Sequence, residues 1–123
     1  MPNATVLVVD DEPLIRWCIA ETLSAAGFGI TEAQDGASAL RALADMPEPD
    51  VILLDLRLPD SSDLGLLKKI RSVAPAAAVI IMTAFGTPEL VAEAKAMGAS
   101  VLNKPFELDE LKRLVLGREA DAA

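Results

Sequence analysis

The sequence predicts an α/β fold, namely a single doubly wound parallel sheet of five strands with five helices on its two faces. Short apolar runs alternate five times with longer segments of helical periodicity. The connections are short, and parallel strands require crossover helices of this kind. A length of 123 residues with 52% hydrophobic side chains suits one compact domain with a single core.

Five short runs are the candidate strands. Four of them are mostly apolar, as expected for parallel strands that are covered on both faces. The GITEA run is the weakest candidate, because only Ile30 and Thr31 favour a strand there. In chain order the candidates are Thr5–Val9, Gly29–Ala33, Val51–Leu54, Val79–Met82 and Ser100–Asn103.

The predicted helices are bounded by start and stop signals. Pro13 suits the first position of the first helix, Thr87 suits an N-cap, and Gly117 follows the last helix. We expect a domain over residues 1–117, followed by a frayed tail or the start of a linker at 118–123. The predicted helices are Leu14–Ala26, Gly36–Met46, 62–73, 88–97 and Glu107–Leu116, the last with Leu108, Leu111 and Val115 facing inward.

The composition excludes several classes of protein. A net charge of −8 argues against a domain that binds a nucleic-acid backbone. The absence of histidine removes histidine-based metal sites and catalytic triads. Cys18 is the only cysteine, which predicts a reducing, cytoplasmic location and no intrachain disulfide. We expect neither a membrane span nor a signal peptide, since no apolar stretch is long enough and the N-terminus lacks a basic segment.

Polar residues stand at the carboxyl ends of four candidate strands. Asp10 and Asp11 follow the first strand, Asp55 the third, Thr83 the fourth and Lys104 the fifth. In an open parallel sheet these ends form the edge at which ligands bind. Three carboxylates, a hydroxyl and an ammonium at one edge suit a divalent cation together with a phosphoryl group.

The three carboxylates predict a metal site. Like charges about 4 Å apart repel by about 1 kcal/mol in water, and by several times more at a lower dielectric. Mg²⁺ (or Mn²⁺) relieves this repulsion, because it prefers oxygen ligands. A plainer reading is that Asp10, Asp11 and Glu12 cap the helix after Pro13. That reading does not account for the polar ends of the other strands.

Asp55 is the candidate nucleophile. A carboxylate can accept a phosphoryl group as an aspartyl phosphate, and the charge on the phosphoryl oxygens is then stabilised electrostatically. Lys104 and the Thr83 hydroxyl are placed to supply that stabilisation. Taken singly, each residue also has a plain structural explanation: a solvated strand end for Asp55, a β-branched strand residue for Thr83 and a surface charge for Lys104.

Four segments resemble the receiver domains of bacterial two-component response regulators. They are VLVVDDEP, VILLDLRLPD, VIIMTA and LNKPFELDEL. The resemblance extends from about Ala4 to Leu116 and is greatest to receivers of the sigma-54 activator (NtrC-like) group of transcription regulators. It implies a flavodoxin-like sheet of strand order 2-1-3-4-5. It also implies a phosphorylated signalling domain rather than an enzyme, with only self-catalysed phosphoryl transfer and slow autodephosphorylation.

The resemblance assigns the metal and the phosphodonor. It implies that Asp55 accepts a phosphoryl group from a sensor histidine kinase or a histidine phosphotransfer protein. Asp11, Asp55 and the backbone carbonyl of Arg57 would hold Mg²⁺, with Asp10 acting partly through water. Thr83 and Lys104 would bind the phosphoryl oxygens and carry the signal outward. A cis peptide bond before Pro105 would direct the ammonium into the site.

Two surfaces follow from the same resemblance. The fourth helix, fifth strand and fifth helix form the expected output face, a contact for a second copy or an effector. Its apolar candidates are Leu90, Val91, Val101, Leu114 and Leu116. The first helix lies beside the phosphorylation site, and its candidates for docking the phosphodonor are Leu14, Ile15, Trp17 and Cys18, of which Ile15 and Cys18 also suit the core.

The sequence departs from the family pattern at a few positions. Val101 stands where the family usually has an aromatic switch residue, and Asp63 stands where glycine is frequent. Arg57 and Phe85 occupy the two positions expected to flank the path of a hydrolytic water. Shielding by these side chains predicts a long-lived phosphoaspartate, although Phe85 equally suits packing on the neighbouring helix.

The sequence leaves three rival functions open. A degenerate receiver would act as a phosphate-independent interaction module, and Val101 favours that reading. A phosphohydrolase of the haloacid dehalogenase type needs a second acid two residues after the nucleophile, where this chain has Arg57. A flavodoxin-type nucleotide binder needs a glycine-rich phosphate loop, which the sequence lacks.

Overall fold

The chain folds into five strands and five helices that alternate along the sequence. The computed structural model describes residues 4–61, 64–84 and 86–122, with side chains as far as residue 117. The strands are β1 (Thr5–Val9), β2 (Gly29–Ala33), β3 (Val51–Asp55), β4 (Ala78–Thr83) and β5 (Ala99–Asn103). The helices are α1 (Pro13–Ala25), α2 (Gly36–Asp45), α3 (Gly65–Val73), α4 (Pro88–Ala96) and α5 (Leu108–Ala122).

All strand pairs are parallel, and the strand order is β2-β1-β3-β4-β5. The predicted fold class and the order implied by the family resemblance are both confirmed. The chain reverses its direction of winding between β1 and β3, which are paired neighbours. In sheets of this kind the crevice beyond the carboxyl ends at that reversal is the binding site.

The core consists of two layers, one on each face of the sheet. Alternate residues of each strand point to opposite faces, so Leu7 and Val9 pack with α2, α3 and α4, while Val6 and Val8 pack with α1 and α5. The central strand β3 is buried over its whole length. Burial on both faces explains why β1, β3 and β4 read as continuous apolar runs, whereas the edge strand β2 is mostly half-buried and mixed in sequence.

The start and stop signals are correct for most of the helices. Pro13 is the first residue of α1, and the Thr87 hydroxyl caps α4 by accepting a hydrogen bond from the Leu90 N–H at 3.2 Å. Helix α3 begins at Gly65 with Leu64 at its N-cap. Residues 62 and 63, and with them the departure at Asp63, lie outside the described part of the chain.

Two predictions about α5 are wrong. The helix does not end at Leu116 but continues through Gly117 to Ala122, because a single glycine costs a helix only about 1 kcal/mol relative to alanine. Leu108 was expected to face inward with Leu111 and Val115, yet it is 38% exposed. As the first residue of the helix, Leu108 lines a groove beside α1 instead of packing on the sheet. Within the described ranges, no helix is long and apolar enough to cross a membrane.

Candidate functional site

The polar residues at the strand ends meet in one cleft, as the sequence predicts. Asp10 follows β1, Asp55 ends β3, Thr83 ends β4 and Lys104 follows β5. The cleft at this edge has a volume of about 320 Å³. Its lining consists of Asp11, Glu12, Asp55, Arg57, Thr83, Ala84 and Lys104. The strands bring together residues that are far apart in the sequence, because parallel strands end at the same edge.

The three acids form a group that fits a divalent cation. Asp10, Asp11 and Asp55 each offer a carboxylate oxygen, and these oxygens lie within 4.8 Å of one another. Asp10 and Asp55 are buried, whereas Asp11 is exposed. Among the described residues, Oδ2 of Asp10 is the buried side-chain atom left without a hydrogen-bond partner. A buried carboxylate oxygen that accepts no hydrogen bond, together with two neighbouring acids, forms a donor set that suits Mg²⁺.

The capping explanation for the first acids is not supported. Glu12 is the N-cap residue of α1, and no side chain caps that helix. Oδ1 of Asp10 instead accepts a hydrogen bond from the Glu12 N–H at 2.9 Å. Oδ2 of the same carboxylate lies 3.5 Å from the Lys104 ammonium at the end of β5.

Lys104 brings a positive charge to the two buried acids. Its Nζ lies 3.2 Å from Oδ2 of Asp55 and 3.5 Å from Oδ2 of Asp10. Its backbone N–H donates to the Thr83 carbonyl at 2.8 Å, which ties the end of β5 to the end of β4. The peptide bond between Lys104 and Pro105 is cis, as the family resemblance implies.

Burial and charge shift the pKa values of this pair. Burial, and to a smaller extent the nearby Asp10 carboxylate, raises the pKa of Asp55, against the lowering effect of the Arg57 N–H and Lys104. Burial alone would lower the pKa of Lys104, but the carboxylates of Asp10 and Asp55 outweigh it and raise that pKa. Lys104 therefore stays charged, and burial, more than the Asp10 carboxylate, disfavours the charged form of Asp55.

Comparison with known proteins decides the family. The family model described as "Response regulator receiver domain" matches residues 6–116. The chain belongs to the response regulator receiver family. Receiver domains are the phosphoacceptor modules of two-component signalling, so the phosphohydrolase and flavodoxin-type readings are set aside.

Named relatives agree with this assignment. The chain is 42% identical over 116 residues to the DNA-binding transcriptional regulator NtrC of Escherichia coli (strain K12), covering 94% of this chain and 24% of that protein. It is 34% identical over 116 residues to sporulation initiation phosphotransferase F of Bacillus subtilis (strain 168), covering 94% and 93% of the two chains. The chain thus spans about a quarter of the length of NtrC. The predicted similarity to NtrC-like receivers is confirmed.

Solved structures confirm the fold. The CheY-like response regulator receiver domain protein from Methanospirillum hungatei JF-1 superposes with a TM-score of 0.92 at 21% sequence identity, covering 98% of this chain and 97% of that chain. At this level of identity the match concerns the backbone arrangement. The single parallel sheet, with helices packed on both faces and a cleft at its carboxyl edge, is therefore the receiver fold.

One residue beside this receiver site, Arg16, was not predicted from the sequence. Arg16 of α1 donates from Nη1 to the carbonyl of Asp10 at 2.7 Å, and from Nε to Oε1 of Glu32 at 3.0 Å. It thereby fixes the backbone that carries the acids. The available signal was its position five residues after Asp11, about one turn into α1, which places it beside the acid loop.

Three positions at which the sequence departs from the family pattern, Arg57, Val101 and Phe85, differ from one another in their structural environment. Arg57 is exposed at the cleft, and its backbone N–H donates to Oδ1 of Asp55 at 3.1 Å. Val101 is half-buried and packs against the core layer under α4. Phe85 lies outside the described residues. Shielding of a phosphoaspartate by Arg57 and Phe85 therefore stays a prediction.

Proposed function

We propose that this receiver takes a phosphoryl group onto Asp55 from a sensor histidine kinase or a histidine phosphotransfer protein. The observation that carries the proposal is the Lys104 ammonium 3.2 Å from Oδ2 of Asp55, within a group of three acids. A carboxylate oxygen of Asp55 attacks phosphorus, the new P–O bond forms, and the P–N bond to the donor imidazole breaks. The imidazole leaves with the electron pair of that bond and is neutralised by a proton.

The acids prepare the site for Mg²⁺ (or Mn²⁺). Asp11, Asp55 and the backbone carbonyl of Arg57 would hold the ion, and Asp10 would act partly through water. When bound, the ion supplies positive charge that offsets the acids and the transferred phosphoryl group. Oδ2 of Asp10 supports this assignment, because it is buried and accepts no hydrogen bond, with the Lys104 ammonium 3.5 Å away.

Lys104 and Thr83 bind the transferred group. Lys104 already contacts Asp55, so its ammonium can follow the negative charge from the carboxylate to a phosphoryl oxygen. Thr83 is buried at the cleft wall, and its backbone carbonyl is bonded to Lys104. A movement of either residue therefore affects the ends of both β4 and β5.

The phosphorylated domain acts as a signal and not as an enzyme. It turns over only its own phosphoaspartate, by slow autodephosphorylation. Phosphorylation adds about two negative charges, which shifts the balance between two conformations of the domain.

The output face lies on α4, β5 and α5 and contacts a second copy or an effector. Val101, on β5, lines a cleft of about 410 Å³ on this face together with Lys95 and Leu114. Leu116 is 43% exposed there, whereas the other predicted apolar residues of the face are half-buried. The output of the whole protein is regulation of transcription, by analogy with its NtrC-like relatives.

The phosphodonor docks beside the cleft. Leu14 and Trp17 of α1 are 72% and 58% exposed. An apolar groove of about 470 Å³ runs from α1 to the start of α5, and Lys104 lies at its border with the phosphorylation site. A donor helix seated on this surface brings its histidine to Asp55. We place this exchange in the cytoplasm, as the single cysteine suggests.

Labelling with acetyl phosphate and Mg²⁺ tests the proposal. The wild-type protein should gain one hydroxylamine-sensitive phosphoryl group, detected by intact mass. Asp55→Asn should gain none, and Asp45→Asn, an exposed acid on α2, should label like wild type. A folded wild-type protein that takes no label would favour the alternative, a degenerate receiver that binds partners without phosphate.

A further inference from the structure

Asp60 attaches the loop that follows the phosphoacceptor to the N-terminus of α2. Its Oδ1 accepts a hydrogen bond from the Gly36 N–H at 2.8 Å, and its Oδ2 accepts one from the Ala37 N–H at 3.0 Å. These N–H groups open the helix and have no partner within it. The next N–H group, that of Ser38, donates to Oδ1 of Asp35 at 2.8 Å. Two carboxylates therefore share this helix end, one local and one from a loop 24 residues away.

Gly36 permits the close approach of the loop. It is buried, and a Cβ at this position would lie 3.1 Å from Oδ1 of Asp60 and 3.2 Å from Cδ2 of Leu66. A side chain there would push the loop and the first turn of α3 away from α2. Asp60 is itself exposed, but its carboxylate rests on the buried Gly36, so the contact joins the loop to the packed start of α2.

The loop between Asp55 and Asp60 is internally bonded. The Arg57 N–H donates to Oδ1 of Asp55 at 3.1 Å. Leu58 and Ser61 exchange both backbone hydrogen bonds, at 2.8 and 3.2 Å, which closes a tight turn with Asp60 in its central pair. Because the turn is closed, a displacement of Asp60 is transmitted to the backbone of Arg57.

We propose that Asp60 is a positioning residue for the phosphorylation site, an inference that rests on the function proposed above. By bonding to α2 it fixes the turn, and the turn fixes the Arg57 carbonyl relative to the Asp55 carboxylate. Asp60 is not among the residues that line the cleft. Its role is to hold a metal-binding carbonyl in place from outside the site.

Asp35 provides a matched control, because it caps the same helix end through Ser38 and makes no bond to the loop. Asp60→Ala and Asp35→Ala are compared by amide hydrogen exchange of the metal-free proteins and by calorimetric titration with Mg²⁺. In Asp60→Ala the N–H groups of Leu58 and Ser61 should exchange faster. Its Mg²⁺ affinity should fall about tenfold, the low end of the range for residues that support metal ligands. Asp35→Ala should show neither effect.

Two results would overturn the inference. One is an unchanged Mg²⁺ affinity in Asp60→Ala, and the other is an equal loss in both variants, which would indicate a general effect of weakening α2. If Asp60→Ala does not fold, Asp60→Asn replaces it, with Asp35→Asn as its control. Because the amide keeps one oxygen acceptor, a smaller loss of Mg²⁺ affinity is expected, and an unchanged affinity still overturns the inference. If the wild-type protein binds no Mg²⁺, the proposed function is contradicted as well. If wild type and Asp60→Ala bind Mg²⁺ with the same affinity, only this inference is contradicted.

Discussion

The Lys104 ammonium lies 3.2 Å from Oδ2 of Asp55, although the two residues belong to strand ends that are separated by β4. The hydrogen bond from the Lys104 N–H to the Thr83 carbonyl fixes the backbone from which the lysine side chain extends. In the absence of metal, this ammonium faces two buried carboxylates, those of Asp55 and Asp10. The stability of the metal-free receiver should therefore depend on it.

Lys104→Met should destabilise the metal-free protein by about 3 kcal/mol. Removing one partner of a buried ion pair costs about 3–5 kcal/mol, and the side chain is 18% exposed, which favours the lower value. Urea unfolding in the presence of a chelator measures the change. Lys68→Met, at an exposed position of α3, should stay within about 0.5 kcal/mol of wild type. Equal stability of the two variants would show that Lys104 does not compensate the acids.

Magnesium should stabilise the wild-type protein and should fail to stabilise Asp11→Asn. A ligand at one hundred times its dissociation constant adds about 2.7 kcal/mol to the free energy of unfolding. Asp11 is exposed, so its replacement should leave the metal-free stability almost unchanged. Urea unfolding at increasing MgCl₂ tests this, with Glu21→Gln on α1 as the control. An undiminished magnesium effect in Asp11→Asn would remove Asp11 from the ligand set.

The charge of Asp35 should contribute stability only above acidic pH. Hydrogen bonds from the Ser38 hydroxyl and then from its N–H lower the pKa of Asp35 below the ordinary value of 3.8. A carboxyl with a lowered folded pKa stabilises the protein above its unfolded pKa, and this contribution is lost as pH falls through the folded pKa. Wild type should therefore be more stable than Asp35→Asn above about pH 5, with the difference fading towards about pH 3. A difference that urea unfolding finds to be constant over this range would contradict the assignment.

Arg71 should be important for stability although it lies outside the cleft. Its guanidinium donates to the carbonyls of Ala77, Met97 and Gly98 at 2.6, 3.1 and 2.8 Å, which joins the end of α3 to the end of α4. Since bonds from a charged donor contribute about 1.5–3 kcal/mol each and are not additive, Arg71→Ala should lose about 2–3 kcal/mol in urea unfolding.

One further variant, Arg71→Lys, separates geometry from charge at this position, and Arg41→Ala is a surface control. Arg71→Lys keeps the charge but lacks the planar fork that reaches three carbonyls, so it should recover less than half of the loss. Arg41→Ala removes an exposed arginine that makes one 3.3 Å bond to Ser38, and should change stability by less than about 0.5 kcal/mol. Full recovery by lysine would mean that charge alone matters.

The fold and the central site could be predicted because both follow from short-range patterns. Apolar runs identify the strands, and the residue after each run marks the carboxyl edge where Asp55 and Lys104 meet. The strand order could not be derived from periodicity and came from the family resemblance. Arg16 and Asp60 were missed because each bonds to backbone groups of another element. Such contacts depend on loop conformation, which no periodic pattern encodes.

Helix ends, too, could be predicted only in part from the local sequence. Thr87 and Pro88 form a local signal, and α4 begins where they indicate. Gly117 is an equally local stop signal, yet α5 passes through it. The packing of Leu111 and Val115 in the core holds the preceding turns, and the small intrinsic cost of one glycine does not end the helix.

Arg57→Asn should shorten the lifetime of the phosphoaspartate. The Arg57 side chain is exposed at the cleft, where it would obstruct a water that approaches the phosphorus. Its backbone N–H and carbonyl are unchanged by the substitution, so the bond to Asp55 and the proposed metal ligand are retained. We expect phosphate loss to accelerate about two- to tenfold, equivalent to about 0.4–1.4 kcal/mol in the barrier. Decay of the purified phosphoprotein in magnesium buffer measures it, with Lys69→Asn, on exposed α3 surface, as the control. If Arg57→Asn and wild type decay at the same rate, the side chain does not shield the acyl phosphate, and the family departure at this position has no kinetic consequence.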